Sequence, residues 1–418
     1  MPFRAALSGI NSSGEELRVI GNNIANASTT GFKKARAEFA DVYASVDGAA
    51  STAIGAGVRL AGVTQQFGQG NIGFTNSKLD LAINGRGFFL IDESGGRAYT
   101  RAGSFQVDRE GFITKSAGSK LVVNGADESG TITGAVGPLQ LDRSNITPRS
   151  TTRVDVGLNL DSTEEKPLTA PFSPDLPNSF NASTSLTVYD SLGGSHLATM
   201  YYVKGEQPGT WDMYTQIDGK DIKGGAAPPY TPDAISFDGA GQLASINGTP
   251  VPPGTIEYPG FETGSGSEPI QLEMNLLSSS PITQFGTRFN VNELSQNGFT
   301  SGRISGIDID DGGVIRARFT NGQTKTLGQV ALADFSNPQG LRPQGDSSWA
   351  ESFDSGVPLV GTPGAGSLGV LQAGALEGSN VDLTSELVNM ITAQRNFQAN
   401  AQVISTADTV TQTVINIR

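Results

Sequence analysis

The sequence predicts a mainly β protein with terminal α-helices. Its two β domains lie in series, the outer one inserted in the inner one, and an N/C-terminal helical coiled-coil domain completes it. Three observations lead there. Apolar residues recur at 4,3 spacing at both extreme ends of the chain. Between the ends, short alternating apolar runs are separated by Gly-rich turns. Fifteen of the 21 prolines fall in one internal segment, residues 148–281. Proline is excluded from central strands, so that segment reads as a separate β domain with long loops.

At the N-terminus Phe3, Leu7, Ile10, Gly14, Leu17, Gly21 and Ile24 step by 4,3,4,3,4,3. Pro2 suits a first helical turn, and Ser28-Thr29-Thr30-Gly31 ends the helix near Ile24 or Ala27. A short amphipathic stretch around 32–42 follows, then Gly- and Ala-rich residues 47–74, which read as an extended, weakly structured connector.

From Leu79 the period becomes two: Leu79, Leu81 and Ile83 alternate with polar or small residues, and Gly85-Arg86-Gly87 turns the chain into Phe88-Phe89-Leu90-Ile91. Consecutive hairpins are expected where Asp311-Gly312-Gly313 and Asn321-Gly322 separate alternating apolar runs. Asp382 is placed to cap the last helix and Glu386 suits its first turn. There Leu383, Leu387, Met390, Gln394, Phe397, Ala401 and Ile404 repeat the 4,3 step, continued by Ala407, Val410, Val414 and Ile417. A helix over 383–417 would be about 50 Å long. The expected boundaries are 1–35 for the first helical segment, 36–75 for the connector, 76–147 and 285–365 for the two parts of the inner β domain, 148–284 for the outer domain, and 366–418 for the C-terminal linker and helix.

Such narrow stripes describe helix faces that cannot stand alone in water. Ala5, Ala6, Val19 and Ile20 widen the first, and Ala393, Ala399 and Val403 the last. Helices apolar on more than one side bury more than one side. Two helices packed on one core would explain a single stripe each; neighbouring subunits explain the width. The plan is that of a subunit that polymerises through its termini.

Composition narrows the function further. The 418 residues carry 28 Lys+Arg against 41 Asp+Glu, a formal charge of −13, which argues against nucleic acid as a partner. There is no cysteine, which removes disulfides and thiol chemistry. No segment approaches the roughly 20 apolar residues of a membrane span, so no membrane insertion is expected, and the N-terminus lacks a classical secretion signal. His196, alone of its kind and next to Ser195, reads as a surface-loop histidine rather than half of a catalytic pair. Gly85-Arg86-Gly87 lacks the third glycine and helix of a dinucleotide loop. Asp308-Ile309-Asp310-Asp311-Gly312-Gly313 fails the spacing of a calcium loop and reads as strand and turn. No catalytic set, cofactor or metal is expected.

Asn22-Asn23-Ile24-Ala25-Asn26-Ala27-Ser28-Thr29-Thr30-Gly31-Phe32-Lys33 closely resembles the N-terminal signature of the bacterial flagellar rod and hook axial proteins. Leu376-Glu377-Gly378-Ser379-Asn380-Val381-Asp382-Leu383 and Ile391-Thr392-Ala393-Gln394-Arg395-Asn396-Phe397-Gln398-Ala399-Asn400 resemble their C-terminal signature. Residues 79–90 and 99–105 are similar to the family's inner β domain. Asn297-Gly298-Phe299-Thr300-Ser301-Gly302, Ala333-Asp334-Phe335-Ser336-Asn337-Pro338-Gln339-Gly340-Leu341 and Tyr189-Asp190-Ser191-Leu192-Gly193 are similar to its hook branch.

The resemblance implies a helical homopolymer whose terminal helices line inner tubes around a central export channel, a flexible universal joint carrying torque between rod and filament. It implies export through the flagellar type III apparatus without a cleaved signal peptide, to an extracellular hook. The distal rod protein, the hook–filament junction protein, a hook cap and a hook-length ruler would be its partners. A distal rod subunit is the nearer alternative, disfavoured by length and by the insert. A secreted hydrolase or carbohydrate-binding β protein is the alternative of a different class.

Overall fold

The computed structural model describes residues 2–42, 55–93, 95–127, 129–142, 144–224 and 229–416. Residues 43–54 of the expected connector and Ile417 of the expected helix lie outside them. The chain forms two compact units: Met1–Arg143 with Gly306–Arg318 and Thr324–Arg418, and Ser144–Ser305 with Phe319–Gln323.

In the first unit helix α1, Pro2–Ala25, packs against helix α2, Leu383–Asn416. Asp382 Oδ1 accepts from Ser385 N at 3.0 Å, the N-cap that starts α2. Gly31 is left-handed at φ +68°. It turns the chain out of α1 into a two-stranded antiparallel ribbon, Ala35–Asp41 with Val58–Gln65.

The main sheet interleaves strands from both ends of the sequence. Ile304–Ile309, Val314–Phe319 and Thr324–Val330 follow one another, and the last pairs with Lys120–Ala126, which leads to Phe88–Glu93 and Gly96–Thr100. The register Gln329↔Asn124 closes the excursion through the insert. Within strand Phe88–Glu93, residues 88–91 have no solvent face: Phe89 and Ile91 enter one core with Leu81, Ile83 and Leu121, while Phe88 and Leu90 enter another with Tyr99, Phe335 and Trp349. That double burial explains the unbroken apolar run Phe88-Phe89-Leu90-Ile91.

In the second unit two sheets share one core. Arg153–Asp161 sits between Ile270–Asn275 and Asn290–Gln296 in one sheet. Ala182–Tyr189, Ser195–Lys204 and Thr210–Ile217 form a meander in the other. Val154, Val156, Leu158, Met200, Tyr202, Trp211 and Met213 meet in the shared core.

Three expectations change. Residues 58–65 are extended, as expected, but not a weakly structured connector: they pair with 35–41, the stretch read as amphipathic, because each supplies the other's backbone partners. The outer domain does not stop at 284, since Asn290–Gln296 pairs along Arg153–Asp161; no composition shift marks that boundary. Period two fails at Ala82, which is as fully buried as Leu81 and Ile83. Its strand pairs with Val370–Ala373, and both faces are covered.

Gly31→Ala is expected to destabilise the first unit. An added Cβ would stand 2.4 Å from Ala102 N, in a conformation L-residues avoid. A loss of at least ~2 kcal/mol is expected, read as a lower denaturation midpoint for the transition of that unit.

Candidate assembly interface

The two helices run antiparallel: Gly9 approaches Asn400, and Asn23 Nδ2 reaches Glu386 Oε2 at 3.4 Å. Their mutual seam is made mainly of small and polar residues, with Ile20 a large apolar member. Ala6, Ser13, Ile20 and Asn23 of α1 and Glu386 and Ala393 of α2 are buried. A Cβ on Gly9 would lie 2.5 Å from Asn400 Oδ1, so short side chains set the helix separation.

The large apolar residues of the sequence stripes stand to one side of this seam. Phe3, Leu7, Leu383, Leu387, Phe397 and Val410 are exposed, together with Val388, Ile391 and Val403. Ile10, Leu17, Ile24, Met390 and Ile404 are half-buried, and the side chain of Val414 lies outside the described residues. Phe3, Ala399, Val403, Ala407 and Val410 line an open apolar groove of about 730 Å³. Contiguous exposed apolar surface of this kind marks an interaction site.

The signature residues between helices and β domain build a buried junction rather than a contact surface. Lys33 Nζ donates to Glu377 Oε1 at 2.6 Å and to Gly68 O at 2.7 Å. Arg101 Nη1 meets Glu377 Oε2 at 3.0 Å, and Gly70 N donates to Glu377 Oε1 at 2.8 Å. The side chains of Lys33 and Glu377 are wholly buried. Burial pushes the Lys33 ammonium below its usual pKa, and the Glu377 charge opposes that shift.

Asn380 Oδ1 accepts from Lys34 N, and its Nδ2 donates to Gln66 O and Gly68 O. Asn23 brackets Ala35 with two hydrogen bonds, Nδ2 to its O and N to Oδ1. Asn26 Nδ2 donates to Asn22 O at 2.9 Å, finishing α1. Gly31 N donates to Glu377 O at 2.8 Å. Phe32, Ser379 and Val381 are half-buried around these contacts, whereas Gln394 and Arg395 are exposed on α2. Asn400 is half-buried, its Nδ2 donating to Asn396 O. Sequence reasoning found these residues as a motif and missed Arg101 as their partner, because an ion pair 276 residues apart leaves no local signal.

His196 is not in a surface loop. It lies on strand Ser195–Lys204, with Nδ1 2.6 Å from Asp218 Oδ2 and Nε2 3.3 Å from Asp190 Oδ2. Asp308 pairs with Lys78 and Arg318, and Asp310 with Arg316, so those carboxylates serve a hairpin. Among the described residues no cluster of three His, Cys, Asp or Glu is arranged to hold a metal, and no helix is long and apolar enough to cross a membrane.

A β body carrying paired terminal helices, whose largest apolar side chains face outward, defines a subunit of an axial structural assembly. Family models agree along the chain: flagella basal body rod protein over 3–33, flagellar hook protein FlgE/F/G D1 domain over 82–157, flagellar basal body protein FlaE D2 domain over 159–299, and flagellar basal body rod FlgEFG protein C-terminal over 372–417. The flagellar hook protein FlgE of Escherichia coli is 37% identical over 424 residues, covering 100% of both chains, and that of Salmonella typhimurium is 38% identical over the same span. The crystal structure of Helicobacter pylori flagellar hook protein FlgE2 shares the fold at a TM-score of 0.53 and 15% identity, over 73% of this chain and 100% of that one. The chain belongs to the flagellar hook protein family and is a structural subunit of the hook.

Proposed function

We propose that α1 and α2 are the polymerisation surface of this hook subunit, each pair docking its exposed stripe onto neighbouring copies in an open helical array. The observation that carries this is the division of labour on the helices. Mainly small and polar residues, with Ile20, close the intramolecular seam, while Phe3, Leu7, Leu387, Phe397 and Val410 remain outside it. Fully burying one such side chain contributes roughly 1.5–3 kcal/mol, so several half-exposed ones per copy supply the drive for assembly. The inner array of helices resists twist. The loops of the second unit, rich in Gly and Pro, would let outer contacts change register as the hook bends.

In this reading the subunit passes unfolded at least in part through the flagellar type III apparatus and joins the hook outside the cell under the hook cap. The length ruler limits the polymer, which is bounded by the distal rod protein and the hook–filament junction protein. The role is mechanical, with no enzymatic step.

Because the chain has no cysteine, a Leu387→Cys variant carries a single thiol. Maleimide is expected to label it rapidly in monomers and slowly in polymer; equal rates would remove α2 from the interface. Circular dichroism provides a second check. The helices, whose exposed stripes have nothing to bury against before assembly, are expected to gain helical signal on polymerisation; full helical content in monomers would refute that coupling.

A further inference from the structure

The sole histidine sits in an arrangement that only one of its charge states satisfies. Asp190 is buried, and its Oδ1 accepts from Leu192 N at 3.0 Å and Gly194 N at 2.7 Å. Its Oδ2 accepts from Ser265 Oγ at 2.9 Å and faces His196 Nε2. Asp218 presents Oδ2 to His196 Nδ1 and Oδ1 to Leu197 N. Ionised carboxylates only accept, so two of them require two ring N–H donors. Neutral imidazole has one donor, and its lone pair would oppose a carboxylate oxygen; imidazolium has both donors.

The Asp190–Gly194 turn also holds the segments through which the chain enters and leaves the second unit. Tyr189 O accepts from Thr151 N and Ser150 Oγ. Gly193 packs against Pro148 and Thr300, and Ser191 Oγ accepts from Glu268 N.

We propose that His196 is a pH-sensitive clasp. As imidazolium it ties Asp190, which also anchors loop 262–268 through Ser265, to the Asp218 turn, and on losing its proton it releases that tie, loosening the segments through which the chain enters and leaves the second unit. The charged groups around the ring are Asp190 from its own turn and Asp218 from the adjoining hairpin, the latter also under the field of Lys220; loop 262–268 contributes the neutral Ser265 hydroxyl.

The direction of titration follows from the contacts. Burial disfavours the ring's charge, but the bonds to Asp218 and Asp190 outweigh it and raise the histidine above its ordinary value. Burial likewise opposes the charge on Asp190, yet its donors hold it below the ordinary carboxylate range. The clasp is therefore fully charged below the ordinary histidine value of about 6.5 and is lost as pH rises through the folded one. Between those two values the local opening constant rises up to about tenfold per pH unit. At the acid end it fails only as pH falls through the depressed Asp values.

The test is a titration of the full-length monomer, selectively labelled at histidine so that one ring signal appears. Hydrogen exchange at Leu192, Gly194, Leu197 and Glu268 is followed in parallel, corrected for intrinsic base catalysis. The expected result is a doubly protonated ring with a midpoint above about 6.5, and protection of those amides that falls across the same interval. His196→Gln, whose amide has donors on one end only, an acceptor on the other and no titrating proton, should show low protection with no step. A midpoint at or below the ordinary value, protection that stays flat through the titration, or a step that survives in His196→Gln would each overturn the proposal. The wild-type titration decides alone if the variant does not fold.

Discussion

Phe397→Asp is expected to abolish tube formation while leaving both β units folded. Phe397 is exposed in the single chain, 38% relative to an open side chain, so exchanging it for Asp removes little that holds the monomer together. In the polymer the same position would lie against apolar residues of a neighbour, where an ionised carboxylate has no partner. Leaving a charge unpaired at such a site costs about 3–5 kcal/mol, on the order of a hundredfold or more in assembly equilibrium. Sedimentation should find the variant in the supernatant at concentrations where the wild-type pellets, with unchanged β circular dichroism. Normal tubes would sink the assignment of α2 to the polymer core.

The second large effect is expected at Glu377, in the buried junction between the helices and the β domain. Glu377→Ala leaves the Lys33 ammonium and the Arg101 guanidinium buried without their counter-charge, and Gly70 N without its acceptor. Breaking a buried pair by removing one partner costs roughly 3–5 kcal/mol. Here one carboxylate serves two cations, so the upper part of that range is expected. Urea unfolding should show the transition of the first unit shifted to lower denaturant while that of the second, whose core shares no residue with this junction, stays in place. Equal shifts in both would mean the units unfold as one. Because the junction fixes the segments leading into both helices, the same variant should assemble poorly at temperatures where its β structure persists.

What the sequence revealed, and what it hid, follows from the range of the interactions. Both helices were legible because 4,3 spacing, Pro2 and Asp382 are local signals, and the hairpins around Asp311-Gly312-Gly313 and Asn321-Gly322 were legible for the same reason. The ribbon of 35–41 with 58–65 was not: its second strand lies in Gly- and Ala-rich sequence, and only its partner makes it a strand.

The stripes identified the apolar faces but not which face the chain keeps for itself. The seam uses Ala6, Gly9, Ser13 and Asn23, residues that an apolar count overlooks, since close approach needs small side chains. The signature residues carried a family likeness, and the structure supplies the chemistry for several: Asn23, Gly31, Lys33, Glu377 and Asn380 are joint-makers. His196 reads as a loop residue because its neighbours Gly193, Gly194 and Ser195 look like a loop, while Asp218, its closest partner, comes from the next hairpin.

Negative-stain electron microscopy after salting out, which strengthens apolar contacts, tests the central claim most directly. The full chain would be imaged beside one lacking residues 1–30 and 380–418. The account predicts curved tubes from the full chain and dispersed particles from the shortened one. Tubes from both would place the principal subunit contact in the β units and contradict it.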